Sequence, residues 1–429
     1  MKIRYIAIIL ILILGGVMLG YYDAFAEGSF TLKATIDETL KSNPEISVVK
    51  RAYEAASARI WQAASLDDPM FDMEYDRITA DRDLSGKPMT TYGITQEIPF
   101  PTKLYLRAKI ASKLAKMAYE NYKTKEREII SQVKSAYAEL SLIYKSIDVI
   151  KDQKNLLEQF SESATARYST DTGTQADALR AQVELAKIDN ELIMLEQKRL
   201  SAQAKINTLM NRDPKEEMGL PSAEDAISFN YPLEKFYATA QFYNPELKAY
   251  RYGIERGKAA YDLSINEFMP NFVVRFRQMV GPDKTEKRMW AGMLGVTVPL
   301  WFFQKQAFGV KEMKAELDML KAEYRAKENM VLFNVRDAHA RVEANKKVVE
   351  LYETAFLPQA DETVKASLKG YSSGVTDFLT LLDSQRNLED FKIDHYKAIL
   401  ELRIALADLE KAMGITLDEL QEKEANEKK

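Results

Sequence analysis

Two periods of apolar residues divide this chain. Over most of its length they recur at alternating steps of three and four, as in Ile130, Val133, Tyr137, Leu140, Tyr144 and Ile147. That spacing is the seam of a coiled-coil helix. From Thr102 to Thr172 there is neither glycine nor proline. The span predicts one helix of about 65 residues, roughly 100 Å long at the helical rise. After Gly173, Gln175 to Asn211 runs on without a breaker, its seam carried by Leu185, Ile188, Leu192 and Leu195. A second outgoing helix carries Val331, Val335, Ala338 and Val342, then Val349, Tyr352 and Phe356. Its returning partner carries Leu388, Phe391, Ala398, Leu402, Ala405 and Leu409. Pro358 is expected to kink the second outgoing helix, because it lacks a donor and crowds the preceding turn.

Four short segments follow the other period, in which apolar and polar residues strictly alternate. Phe71-Asp72-Met73-Glu74-Tyr75-Asp76 is the clearest, and Phe272, Val274 and Phe276 alternate with Val273, Arg275 and Arg277. Strands are expected at about 70–78, 90–99, 271–280 and 289–299, each near the ten residues of a tilted strand that crosses a bilayer. Polar loops join them in pairs, around 79–88 and 281–287. Phe100, Trp301, Phe302 and Phe303 gather at one end, where an interfacial aromatic girdle would sit. The alternation puts Asp72, Glu74, Asp76, Glu97, Arg275 and Arg277 on the face away from lipid, lining a lumen. A soluble sheet would need a core for its apolar face, but the helices use their seams on one another.

The whole pattern occurs twice, about two hundred residues apart. Asn43-Pro44-Glu45 returns as Asn244-Pro245-Glu246, Tyr168-Ser169-Thr170 as Tyr371-Ser372-Ser373, and Met210 as Met413. The organisation read from this is a cleaved signal peptide at 1–26, a first repeat at 27–213, a linker at 214–235, a second repeat at 236–413, and a charged tail at 414–429. Lys2 and Arg4, the apolar run from Ile6 to Leu19, and Ala24-Phe25-Ala26 form the export signal.

Composition narrows the function. The formal net charge is −4, so binding to nucleic acid has no electrostatic support. The chain has no cysteine, which excludes disulfides, thiolate metal sites and a lipidated cysteine anchor. The two histidines, His339 and His395, lie on different helices. His395 falls on a seam, so a packed or partner-bonded ring is the expectation. No catalytic constellation, cofactor motif or metal-ligand set stands out, and the chain reads as a conduit and not an enzyme.

Four strands cannot span lipid as an open sheet, because their edge N–H and C=O groups would have no partner. A barrel must close, and only a wide one leaves an aqueous lumen. Several copies must therefore pool their strands.

In the order of these features, the chain resembles the TolC-like outer-membrane efflux factors over nearly its whole mature length. The duplicated Asn-Pro-Glu start, the strand pairs and the tyrosine-to-glycine turns carry the resemblance. Gln96 to Leu104, QEIPFPTKL, looks most like the heavy-metal branch. The resemblance implies a mainly α fold with a small β part, in which long antiparallel coiled-coil hairpins form a periplasmic tunnel. It implies a homotrimer whose chains each give four strands to a twelve-stranded barrel in outer-membrane lipid. It also implies two partners, a periplasmic adaptor (a membrane fusion protein) and an inner-membrane pump of the RND type. Function would be passive conduction of pumped substrates, heavy-metal cations among them.

Family position places a gate on the second returning helix. Asp383 takes one acidic position, and Thr380 departs from the other. Asp377, one turn earlier, would substitute, and Asp177 is the first-half equivalent of Thr380. The turns at Tyr168 to Gly173 and Tyr371 to Gly374 are expected adaptor-docking surfaces, glycine allowing a left-handed backbone. Two other readings are weighed: a periplasmic coiled-coil adaptor or scaffold, and the exit duct of a type I protein secretion system. Against the adaptor, no Gly- and Val-rich lipoyl-like or small-barrel domain is seen.

Overall fold

A computed structural model describes residues 30–76, 89–170, 173–222, 231–281 and 288–427. The signal segment, the tips of both strand pairs, and Thr172 lie outside them. The described elements are, in order, α1 (Leu32–Ser42), α2 (Pro44–Ala64), β1 (Met70–Asp76), β2 (Met89–Ile98), α3 (Pro101–Ser169) and α4 (Gln175–Leu209). The second half runs α5 (Leu233–Tyr243), α6 (Pro245–Asn266), β3 (Asn271–Val280), β4 (Met289–Thr297) and α7 (Gln306–Leu351). A π-helical turn at Tyr352–Phe356 leads to α8 (Leu357–Ser372), α9 (Phe378–Met413) and α10 (Leu417–Glu427). The fold is mainly helical with one small sheet, as the patterning implies.

Contacts group the chain into two compact units. One holds residues to Pro44, Glu128–Leu233 and Arg336–Lys411. The other holds Glu45–Arg127, Glu234–Val335 and Ala412–Lys429.

The first unit is built on helix seams. Ala136, Leu140, Ile143, Ile147, Ile150 and Leu157 on α3 are buried against Ala181, Ile188, Leu195 and Ile206 on α4. Leu185 and Leu192 flank this core half-buried. The burial on α3 is wider than one heptad stripe. Val133 and Tyr137 are fully buried too, and Ile129 is buried where the seam names Ile130. Tyr137 belongs inside because its hydroxyl is satisfied, donating to the Phe30 carbonyl at 2.8 Å. Val335, Ala338, Val342, Ala405 and Leu409 are buried on the second-half helices.

Pro358 does not break its helix. The Leu357 amide bonds to the Tyr352 carbonyl, five residues back, and an extra residue is taken up in a wide turn just ahead of the proline. The missing donor is absorbed there, a known use of single π-turns. His395 packs beside it, with Nε2 at 3.3 Å from Glu353 Oε1 and its ring near Tyr352.

The duplicated Asn-Pro-Glu motif performs one task twice. In the first unit the Asn43 side-chain amide donates to the Leu209 carbonyl at 2.9 Å. In the second unit Asn244 donates to the Ala412 carbonyl at 2.8 Å and also accepts from the Leu247 amide. Each asparagine thus satisfies an orphan carbonyl at the end of its own repeat's returning helix. Just past those ends the backbone turns left-handed, at Asn211 and at Gly414. These residue types bear that conformation most readily.

The second unit contains the sheet, an antiparallel meander in the order β1-β2-β3-β4. Both outer strands are free edges within the described chain.

Candidate functional site: a two-faced ribbon and a pair of helix turns

Register decides which side chains share a face of the sheet. Asp72 pairs with Gly93, which pairs with Arg277, which pairs with Ala291. The neighbouring rows run Met70, Thr95, Arg275, Met293 and Glu74, Thr91, Met279, Met289. Glu97 and Val273 lie one row further on. Asp72, Glu74, Glu97, Arg275 and Arg277 therefore occupy a single face. Asp76 ends β1, paired with Met89.

Two pairs of opposite charges meet on that face. Arg275 Nη2 donates to Asp72 Oδ2 at 2.6 Å, reaching over the intervening strand. Arg277 lies 3.9 Å from Glu74. The crossing works because residue 93 is glycine: a Cβ there would sit 2.6 Å from both Asp72 carboxylate oxygens. Glu97 is held elsewhere, accepting from Asn271 Nδ2 at 3.0 Å. Asn271 in turn accepts from the buried Lys103 ammonium at 2.9 Å, which also faces Glu267. This chain of bonds fastens the foot of the sheet to the start of α3. Nothing in the periodicity marked Lys103, because a lysine in the first turn of a helix reads as solvated.

The opposite face is apolar and bare. Phe71 is 71 % exposed, Trp290 73 % and Leu294 85 %, while Thr91 on the ionic face is 4 % exposed. A soluble protein does the reverse, and a contiguous apolar patch of this kind marks a surface made for lipid or a partner. Below β4, Trp301, Phe302 and Phe303 continue the exposed apolar surface. Among the described residues no helix is long and apolar enough to cross a membrane.

In the first unit, the residues expected at the gate gather at two helix starts. Thr174 caps α4, accepting from the Asp177 amide at 3.2 Å, while the Asp177 carboxylate accepts from the Thr174 hydroxyl at 2.8 Å. Asp377 caps α9 and accepts from the Thr380 amide at 2.9 Å. The halves use the same capping box with its two residues exchanged, Thr-x-x-Asp in one and Asp-x-x-Thr in the other. Bonds from the Thr380 side chain and then its backbone hold the Asp377 carboxyl below the usual range. Asp383 is free of that duty and stays more than half exposed, 3.6 Å from Arg386. Arg386 also pairs with Glu184 on α4. Burial raises the Glu184 carboxyl, and the bonds from Arg386 and Lys187 outweigh it, leaving it below its ordinary value. Arginine thus accompanies the acids here, a feature that sequence reasoning missed.

The two turns meet through Arg167. Its guanidinium lies 4.9 Å from the centre of the Tyr371 ring, which also packs on Phe378. Tyr168 remains half-exposed. Gly374 is left-handed, with φ of 75°. Gly173 is not, and its reason for being glycine is different: a Cβ would come within 2.9 Å of the Arg167 side chain. Deeper in this unit, Glu389 is buried. Loss of hydration, then the nearby Glu191 and Asp390 charges, push its carboxyl up to about 8. Among the described residues no group of three or more His, Cys, Asp or Glu side chains is arranged to hold a metal ion.

A ribbon apolar on one side and ion-paired on the other, in a chain of duplicated helical hairpins, defines the class of channel-forming outer-membrane proteins. The outer membrane efflux protein family model matches this chain twice, over residues 35–212 and 237–415, and the chain belongs to that family. It is accordingly an outer-membrane efflux protein. The chain is 19 % identical over 400 residues to the cobalt-zinc-cadmium resistance protein CzcC of Cupriavidus metallidurans, covering 93 % of this chain and 94 % of that protein. The fold is shared with solved structures. CusC superposes with a TM-score of 0.77 at 13 % identity, over 91 % of this chain and 96 % of CusC. The open-state MtrE channel of Neisseria gonorrhoeae gives 0.76 at 17 % identity, over 90 % and 89 %.

Proposed function

We propose that three copies of this chain pool their sheets into a twelve-stranded barrel. The trimer would be the exit duct of a tripartite efflux system for heavy-metal cations. A periplasmic adaptor docks at the turns containing Tyr168, Gly173, Tyr371 and Gly374. An inner-membrane pump of the RND type drives the cargo, and the duct conducts it passively. Asp383 narrows the periplasmic mouth, with Asp177, Asp377 and Thr380 shaping the helix starts beside it. The division into two repeats joined by a segment at 214–235 is part of the same reading.

One observation carries this proposal: within the described chain the sheet has two free edges and a bare apolar face, while its opposite face carries the Arg275–Asp72 and Arg277–Glu74 pairs. Unpaired edge groups cannot be left in hydrocarbon, so the ribbon must be completed by further copies. The heavy-metal cargo draws on the likeness to CzcC. Cell fractionation tests the proposal. The protein should sediment with the outer membrane, need detergent for release, and then run at the mass of three chains. Recovery as a soluble monomer without detergent would overturn it.

A further inference from the structure

The ionic face of the ribbon carries a second chemistry. Among the described side chains of that face, those larger than valine that bear no charge or amide are Met70, Met279, Met289 and Met293, all of one type. The other face spends Phe, Tyr, Trp, Ile, Leu and Val on lipid, with Met73 its single methionine. Had the ionic face needed only apolar bulk, leucine or isoleucine would serve, and β-branched residues fit a strand better. What methionine adds is a polarisable thioether. Met279 and Met289 are direct cross-strand partners, which brings their Cβ atoms to about 5 Å apart. Met70, Met289 and Met293 are about half exposed in the single chain.

The described carboxylates in these rows, Asp72 and Glu74, both already face a cation. Asp72 is bonded to Arg275, and Glu74 lies near Arg277. A hard or borderline divalent ion thus finds its carboxylates already facing cations. A soft monovalent ion needs no charge, because thioethers bind Cu(I) and Ag(I) in preference to harder metals.

We infer that the Met279–Met289 pair is a thioether station for a soft monovalent cation, flanked by Met70 and Met293 on the same face. It would be filled in transit by Cu(I) or Ag(I). The inference rests on the ionic face being the water-filled lumen of the duct, and it narrows the cargo from heavy-metal cations at large to soft monovalent ones.

The test uses the full-length protein in planar bilayers with chloride-free potassium nitrate, and silver nitrate as probe. Ag(I) should depress the potassium current. The double variant M279L/M289L, which keeps the bulk and removes the sulfur, should need about tenfold more Ag(I) for the same block. Zn(II) should act alike on both. Equal Ag(I) sensitivity in the two proteins would overturn the station while leaving the duct standing. Absence of any potassium current would remove the duct and the station together. A second measurement needs no variant: methyl-labelled methionine spectra of the wild type in nanodiscs under Ag(I). Met279 and Met289 should shift before Met194, Met319 and Met330, which lie on helices and are as exposed as Met289. Simultaneous shifts would reduce the effect to exposure and sink the inference.

Discussion

Asp377 and Asp383 are less than about two helical turns apart, yet they do different work. The carboxylate of Asp377 is bonded to the Thr380 amide and starts α9, while Asp383 points its charge into solvent beside Arg386. Asp377→Ala should therefore speed amide exchange over Phe378 to Leu381, because a capping acceptor is lost. Asp383→Ala should leave that exchange unchanged and instead lower cation selectivity in bilayers. Identical effects of the two variants would contradict the distinction. Glu389 supplies a pH signature. Its carboxyl is raised, so the folded chain keeps a proton that the unfolded chain releases above about 4.5. Stability from this group is full at low pH and drains away as pH climbs toward 8. Glu389→Gln should match the wild type in thermal melts at pH 5 and exceed it by about 1–3 kcal/mol at pH 9. A gap that stays constant with pH would refute it.

Among the elements, the helices were the most legible. Their seams are long and locally encoded, so Val133, Leu140, Ile188 and Ala405 could be placed from spacing alone. The width of α3's buried face could not, because a helix that meets more than one neighbour buries more than one stripe. The π-turn was also hidden. Proline announces a missing donor, but that the helix takes in an extra residue ahead of it goes with the packing of Tyr352, Phe356 and Phe391. The capping boxes are written in Thr174-x-x-Asp177 and Asp377-x-x-Thr380, where the same carboxylates also read as gate acids. In the ribbon, alternation gave the faces, while the reach of Arg275 across β2 to Asp72 needed coordinates. Gly93→Ala is the sharpest probe of that element. The added methyl collides with the Asp72 carboxylate and should break the ion pair. The folded barrel should then lose its resistance to mild heating in detergent electrophoresis, while helix content by circular dichroism stays the same. Unaltered heat resistance would mean the crossing bond does not matter.

For the molecule as a whole, one feature organises everything else: the sheet pairs charges on one face and exposes a greasy face on the other. Lipid explains that arrangement, and further copies of the chain explain the free edges. Sequence reading reached this point through strand alternation, because a period of two is visible wherever one face must differ from the other. The partners that complete the assembly lie outside a single chain's pattern, and they entered by resemblance and proposal. The absence of cysteine makes the decisive measurement simple, since each introduced thiol is the only one present. Single cysteines placed in turn at positions 272 to 277 of β3, in protein reconstituted in native-like bilayers, should react with a water-soluble maleimide in strict alternation. Positions 273, 275 and 277 should label from the aqueous phase, and 272, 274 and 276 should be shielded until detergent strips the lipid. Uniform labelling along the strand, or alternation of the opposite phase, would contradict the account.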